Sequence, residues 1–290
     1  MPEALAPAAE AAAARLPPLV VAAERVAATV MQGVHGRRRS GMGDAFWQFR
    51  PYSPGDAASR LDWRQSAKSD RLFVRETEAE AAQTVLLWRD ASASMQWRSA
   101  RDLPEKAERA SLLLLALASL LLRGGERARL LPRGGAAPGR AFMGRHALPG
   151  LAAELAREAA AALPMPGPAL PRHARAALFS DFLQPLPEVE AMLAGFAARG
   201  LRGQLVQVLD PAEETLPYHG RVSFEGLEGE APLVLPRVEA ARPLYAERLA
   251  AHRAGLATLA RAAGWGFLTH RTDQPPQPAL LALWQALAPA

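Results

Sequence analysis

Three oxygen-bearing side chains, Asp90, Ser92 and Ser94, stand at every second position in residues 83 to 97. A carboxylate and two hydroxyls are hard donors. Mg²⁺ takes oxygen ligands in an octahedron and keeps several waters. Thr84 to Trp88, just before them, is a short apolar run with a β-branched start, the pattern of a buried strand. Pro104 to Leu122, just after them, is a long helical pattern. A turn between the two lets alternate residues converge on one point. In an open α/β sheet that point lies at the carboxyl ends of the strands, where ligands bind. The same residues suit a second reading, in which Asp90 or Ser92 caps and shapes the strand-to-helix turn.

The elements that must position these residues alternate regularly. Strands are expected at Arg127 to Leu131, at Ala174 to Ser180 ending in Asp181, and at Gln204 to Leu209 ending in Asp210. Helices are expected at Ala147 to Leu163 and Leu186 to Arg199. This alternation predicts an α/β fold with a doubly wound, mostly parallel sheet and helices on both faces. Two short strand-like runs, Arg221 to Phe224 and Leu233 to Leu235, predict a small β-rich excursion near 211–240. A helix over Arg242 to Ala263, a strand over Trp265 to His270 and a helix over Ala279 to Leu287 follow. Ahead of the motif, residues 1–15 read as frayed, and Pro18 to Gln32 as a helix with an apolar face. Residues 33–82 are rich in Gly, Arg and aromatics, with short strands at Phe46 to Arg50 and Leu72 to Val74. Tyr52 and Trp63 are expected to anchor that segment by packing. His35 reads as holding a Gly-rich loop, Arg37 to Arg39 as a solvated loop or a docking patch for an acidic partner, and His146 and His173 as solvent-facing.

Composition narrows the function. The chain of 290 residues has no cysteine, which excludes disulfides, thiolate zinc sites and cysteine nucleophiles. Its net charge of +5 is scattered and rests on arginine, Lys68 and Lys106 being the only lysines. Nucleic-acid binding calls for a clustered basic face, so no nucleic-acid partner is expected. No leader pattern is visible at the start. The most apolar run, Leu112 to Leu122, is shorter than the about 20 residues a membrane span needs. The expectation is a cytoplasmic protein without a direct membrane span. There is no Asp-x-Asp pair, no Gly-x-Ser-x-Gly elbow and no P-loop. The chain therefore reads as non-catalytic.

A longer signature adds a resemblance. Gly33-Val34-His35, Ser40-Gly41-Met42-Gly43, Phe46, Arg50-Pro51-Tyr52, Pro54-Gly55-Asp56, Leu61-Asp62-Trp63, Ser66-Ala67-Lys68 and Leu72 to Glu76 precede the strand that ends in Asp90 to Met95. Together with Phe179 to Phe182 and Val208 to Glu214, they resemble the family catalogued as domain of unknown function 58, over roughly residues 30 to 290. The resemblance implies a von Willebrand factor A-like domain over 83–290, a signature segment over 33–82 packed on it, and an N-terminal helical segment over 1–32. It implies a metal-ion-dependent adhesion site with Asp90, Ser92, Ser94 and Asp181 as ligands of Mg²⁺ or Mn²⁺. It also implies a MoxR-type AAA+ ATPase as a partner, in chaperone-like assembly or activation of a client protein offering an Asp or Glu.

Two departures stand out. The adhesion-site threonine is missing, since no threonine lies between Thr84 and Thr215. In the signature, Ala57 and Ser59 replace an Asp and an Arg, a pair expected to have been lost together. Two alternatives stay open beside the adaptor reading. One is a Mg²⁺-dependent phosphate-handling hydrolase using Asp90; the other is a structural subunit with a vestigial metal site. The roles of Asp210 and Glu213, in a site or only in a turn, are open as well.

Overall fold

In a computed structural model of the chain, the described residues are 5–34, 46–53, 61–68, 71–77, 82–131, 139–157, 163–167, 170–171, 174–227, 229 and 231–287. Their contacts divide the chain into two compact units: Met1–Val34 with Gln83–Ala290, and His35–Ala82. In chain order the first elements are α1 (Leu5–Val34), β1 (Phe46–Pro51), α2 (Trp63–Ser66), β2 (Phe73–Thr77), β3 (Thr84–Arg89) and α3 (Lys106–Arg123). Next come β4 (Arg127–Leu130), α4 (Leu148–Leu155), β5 (Arg175–Ser180), α5 (Leu186–Ala197), β6 (Arg202–Leu209) and α6 (Pro211–Thr215). The chain closes with β7 (Val222–Phe224), β8 (Leu233–Leu235), α7 (Val238–Ala262), β9 (Gly266–Arg271) and α8 (Pro276–Leu287).

The larger unit is built on five parallel strands in the order β4-β3-β5-β6-β9. Its central strands read as near-continuous apolar runs because both faces are covered. Side chains alternate between those faces. Val85, Leu87, Ala177, Phe179, Val206 and Val208 join one core with α1, α3, α4 and α8. Leu86, Trp88, Ala176, Leu178 and Leu205 join the other with α5 and α7. The doubly wound α/β sheet expected from the alternation is the fold that forms. Its strand order reverses between β3 and β5, so the two strands that end in Asp90 and Asp181 flank the topological switch point.

Helix α3 carries the sheet's main burden of packing. From Leu113 to Leu122 every residue is buried. Its first turn is fastened to the motif, because the amide of Ala107 donates to Met95 O at 2.7 Å and that of Lys106 to Trp97 O at 3.2 Å. These bonds satisfy amides that a helix start leaves without partners, and they fix where Lys106 stands relative to Ser92 and Ser94. The β-rich excursion forms as the antiparallel pair β7–β8.

Several boundaries differ from the sequence reading. α1 begins at Leu5 rather than at Pro18, and it packs Ala23, Val26, Ala27 and Val30 into the core under α3. α4 stops at Leu155. Pro211–Thr215, at the start of the expected β-rich excursion, is a short helix. No helix among the described residues is long and apolar enough to cross a membrane.

The smaller unit pairs β1 with β2 antiparallel. Asp62 caps α2 by accepting from the Gln65 amide at 2.8 Å. The Ser66 hydroxyl accepts from the Phe73 amide at 2.9 Å and donates to Asp62 O at 2.8 Å. Tyr52 and Trp63 are 37% and 66% exposed, which corrects the expectation that they anchor a core. Hydrogen bonds from Asp62 and Ser66, rather than large aromatics, tie α2 to β2. His35, Arg37 to Arg39, Ala57, Ser59 and His173 lie outside the described residues, and His146 is exposed as expected.

Candidate functional site

Asp90 leaves the carboxyl end of β3 with its side chain turned back on the chain. One carboxylate oxygen accepts from the Ser92 amide at 2.8 Å, closing an Asx turn. The other accepts from the Ser180 hydroxyl at 2.6 Å, a bond from the neighbouring strand β5. Asp90 is buried, so these bonds compensate its charge. Asp90 thus holds the turn, which was one of its two sequence readings. The turn aims Ser92 and Ser94 at one point, where their hydroxyls share a hydrogen bond at 3.1 Å.

Asp181 arrives from the end of β5. The Ser94 hydroxyl donates to its Oδ2 at 2.9 Å, joining positions 87 residues apart. The turn that presents Asp181 is strained, since Phe182 has φ of 47°, which a bulky side chain rarely adopts. Surrounding bonds hold it. The Phe182 amide donates to the Ser180 hydroxyl at 3.1 Å, and Gln207 Nε2 donates to Asp181 O at 2.8 Å. His252 Nε2 meets Phe182 O at 2.7 Å. All four residues named from the sequence therefore stand at the switch point, and Ser92, Ser94 and Asp181 are linked directly.

Two separations among those oxygens are hydrogen bonds that can be set beside the dimensions of a hard-cation site. With bonds of about 2.0–2.1 Å, adjacent oxygens of a Mg²⁺ octahedron lie about 2.9 Å apart. The Ser92–Ser94 and Ser94–Asp181 oxygen separations of 3.1 and 2.9 Å are close to that edge. Two hydroxyls and one carboxylate would leave the remaining positions to water or to a ligand, in keeping with the habit of Mg²⁺. Among the described residues, no group of three or more His, Cys, Asp or Glu has metal-holding geometry.

Lys106, which the sequence reading passed over, completes the cluster. Its side chain is 1% exposed, and Nζ lies 2.9 Å from Asp181 Oδ2 and 2.5 Å from Glu213 Oε1. Burial works against the lysine charge, but Asp181 and Glu213 together outweigh it and hold its pKa above the ordinary lysine value. Glu213 is fixed by its own helix. In the capping box of α6, the Asp210 carboxylate accepts from the Ala212 amide and Glu213 accepts from the Asp210 amide, both at 2.8 Å. Asp210 also accepts from the Ser99 amide at 2.9 Å, so it shapes the turn and ties the motif loop to β6. One signal was available beforehand. Lys106 is one of two lysines in the chain and stands in the first turn of the helix directly after the motif.

Comparison with known proteins gives the family. The model of the family described as protein of unknown function DUF58 matches residues 48–255. Uncharacterized proteins of Mycobacterium bovis and Mycobacterium tuberculosis are 30% identical over 257 residues, 84% of this chain and 80% of the relative. Among solved structures, an aerotolerance-related membrane protein from Bacteroides fragilis is similar at TM-score 0.40 and 15% identity, over 71% of this chain and 98% of that one. The SpRpn10 VWA domain is similar at TM-score 0.36 and 9% identity, over 69% and 94%. On the extent of the family match and of the mycobacterial relatives, the chain belongs to the DUF58 family.

Proposed function

We propose that the protein is a non-catalytic, cytoplasmic binding protein whose site recognises an acidic side chain through a divalent cation. The observation that carries this reading is the hydrogen-bonded chain Ser92–Ser94–Asp181 at the switch point of the sheet, whose two oxygen separations of 3.1 and 2.9 Å are near an octahedral edge. Mg²⁺ or Mn²⁺ would be held by these three residues, with Asp90 fixing the turn and available through water. Such an ion supplies a Lewis-acidic position for a carboxylate. This chain's residues orient the turn and neutralise one another. A partner's Asp or Glu would then bind only where ion and acid are both present. The family resemblance points to a MoxR-type AAA+ ATPase, or a client that it acts on, as the source of that acid.

The test is affinity capture from native lysate with tagged protein in Mg²⁺, in EDTA, and with Ser92→Ala/Ser94→Ala. Recovery of a AAA+ ATPase only in Mg²⁺ and only with both serines supports the reading. Equal recovery in all three conditions would keep the partner and remove the ion from the mechanism.

A further inference from the structure

We infer that Lys106 is the resident cation of this site, and that a divalent ion binds by displacing its ammonium from Asp181 onto Glu213, so that Lys106 sets the affinity of the site for metal. The inference deepens the ion-binding reading above and rests on it. The oxygen of Asp181 that accepts from Ser94, and so faces the candidate ion position, is the oxygen that Lys106 holds at 2.9 Å. An ammonium and a divalent cation on one carboxylate oxygen repel each other across a few ångströms of buried, weakly screened space. Both cannot keep their best geometry.

The structure also provides the place to which Lys106 can retreat. Glu213 already accepts from Nζ and is held from behind by the Asp210 amide, so it does not need to move. Withdrawal needs only rotation about the terminal bonds of a side chain that stays ion-paired throughout. Charge balance agrees with two states. Asp181 and Glu213 share one ammonium in the described structure, so the pair keeps surplus negative charge that a divalent ion could offset. With Lys106 on Asp181 the site is partly neutralised and the ion position is closed. With Lys106 on Glu213 alone the position is open.

The experiment is a Mn²⁺ titration, followed by electron paramagnetic resonance, of wild type, Lys106→Met and Lys106→Gln. The inference expects both variants to bind Mn²⁺ at least tenfold more tightly than wild type. Binding by the variants that is equal to or weaker than wild type would overturn it while leaving the ion reading intact. Absence of Mn²⁺ binding in all three chains would overturn the ion reading and this inference with it. Because the variants lose a buried cation and can fail to fold, the native chain supplies a second measurement. Lysine labelled with ¹³C at Cε gives signals from Lys68 and Lys106 alone. Saturating Mg²⁺ should shift the Lys106 signal and leave that of Lys68 in place. A Lys106 signal unmoved while Mg²⁺ binds would overturn the inference.

Discussion

Replacing Lys106 with methionine keeps most of the side-chain volume and removes the only cation that contacts Asp181 and Glu213 among the described contacts. At 2.9 and 2.5 Å, each carboxylate attracts the ammonium by about 6 kcal/mol at an effective dielectric of ~20. Taking the ammonium out of water offsets much of that sum. What decides the outcome is the state left behind, since Asp181 would be stranded with its side chain 2% exposed and Glu213 with 17%. Breaking a buried pair from one side costs about 3–5 kcal/mol, and Lys106→Met is expected to cost that much at neutral pH. Glu213→Gln leaves Lys106 with Asp181 and should cost roughly 1.5 kcal/mol, the lower end for a charged hydrogen bond. In the double variant no glutamate charge is stranded, so its cost should fall short of the sum by about 1–3 kcal/mol. Urea unfolding followed by tryptophan fluorescence measures all four corners of the cycle. A Lys106→Met cost under about 1 kcal/mol, or additivity of the two changes, would refute the view that Lys106 neutralises this pair.

Other expectations concern the supports of the site. Ser180→Ala removes the 2.6 Å bond into Asp90 and the acceptor of the Phe182 amide, and should lower the urea stability by about 1.5–3 kcal/mol. An unchanged midpoint would mean that Asp90 is held by other groups. His270 is buried, and burial first, then Arg109 beside it, lowers its pKa to about 4 from 6.5. The unfolded chain therefore takes up this proton first. The associated stability is complete above pH 6.5 and is lost as pH falls towards 4, by about 3 kcal/mol in all at 1.36 kcal/mol per pKa unit. His270→Gln should flatten the stability–pH curve between those limits, and an unchanged slope would count against it. Gly203→Ala would place a Cβ 2.2 Å from Ala176 O and 2.8 Å from the Trp265 ring. Because the first of these is backbone of the neighbouring strand, a loss of about 3 kcal/mol is expected in the same urea assay. A smaller loss than 1 kcal/mol would show that β5 and β6 separate readily.

The sequence showed the sheet and the first layer of the site because both are written in local patterns. β3 reads as an apolar run ending in Asp90. The hydroxyls at 92 and 94 follow at alternate positions, and Asp181 stands at the end of a second such strand. Parallel neighbours place the ends of β3 and β5 side by side, so two separate local patterns suffice to bring Ser94 and Asp181 together. Lys106 was not legible in this way. A lysine in the first turn of a helix ordinarily reaches solvent. Its burial here depends on Asp181, 75 residues away, and Glu213, 107 residues away. Glu213 has two contacts of different range, because one carboxylate oxygen caps α6 and the other meets Lys106. The Asp-Pro-Ala-Glu start of α6 is a capping-box pattern, but the helix it opens is only five residues long, too short to show a helical period. Exposure of Trp63 ran against the general weight of aromatics in packing, because short-range bonds from Asp62 and Ser66 had already fixed that turn.

The most direct test of the account is a crystal structure of the protein soaked in Mn²⁺, read from the anomalous signal of the metal. The account predicts one peak bounded by the hydroxyls of Ser92 and Ser94 and the carboxylate of Asp181, with the Lys106 ammonium withdrawn to Glu213. An empty position, with Lys106 still on Asp181 at saturating Mn²⁺, would contradict it.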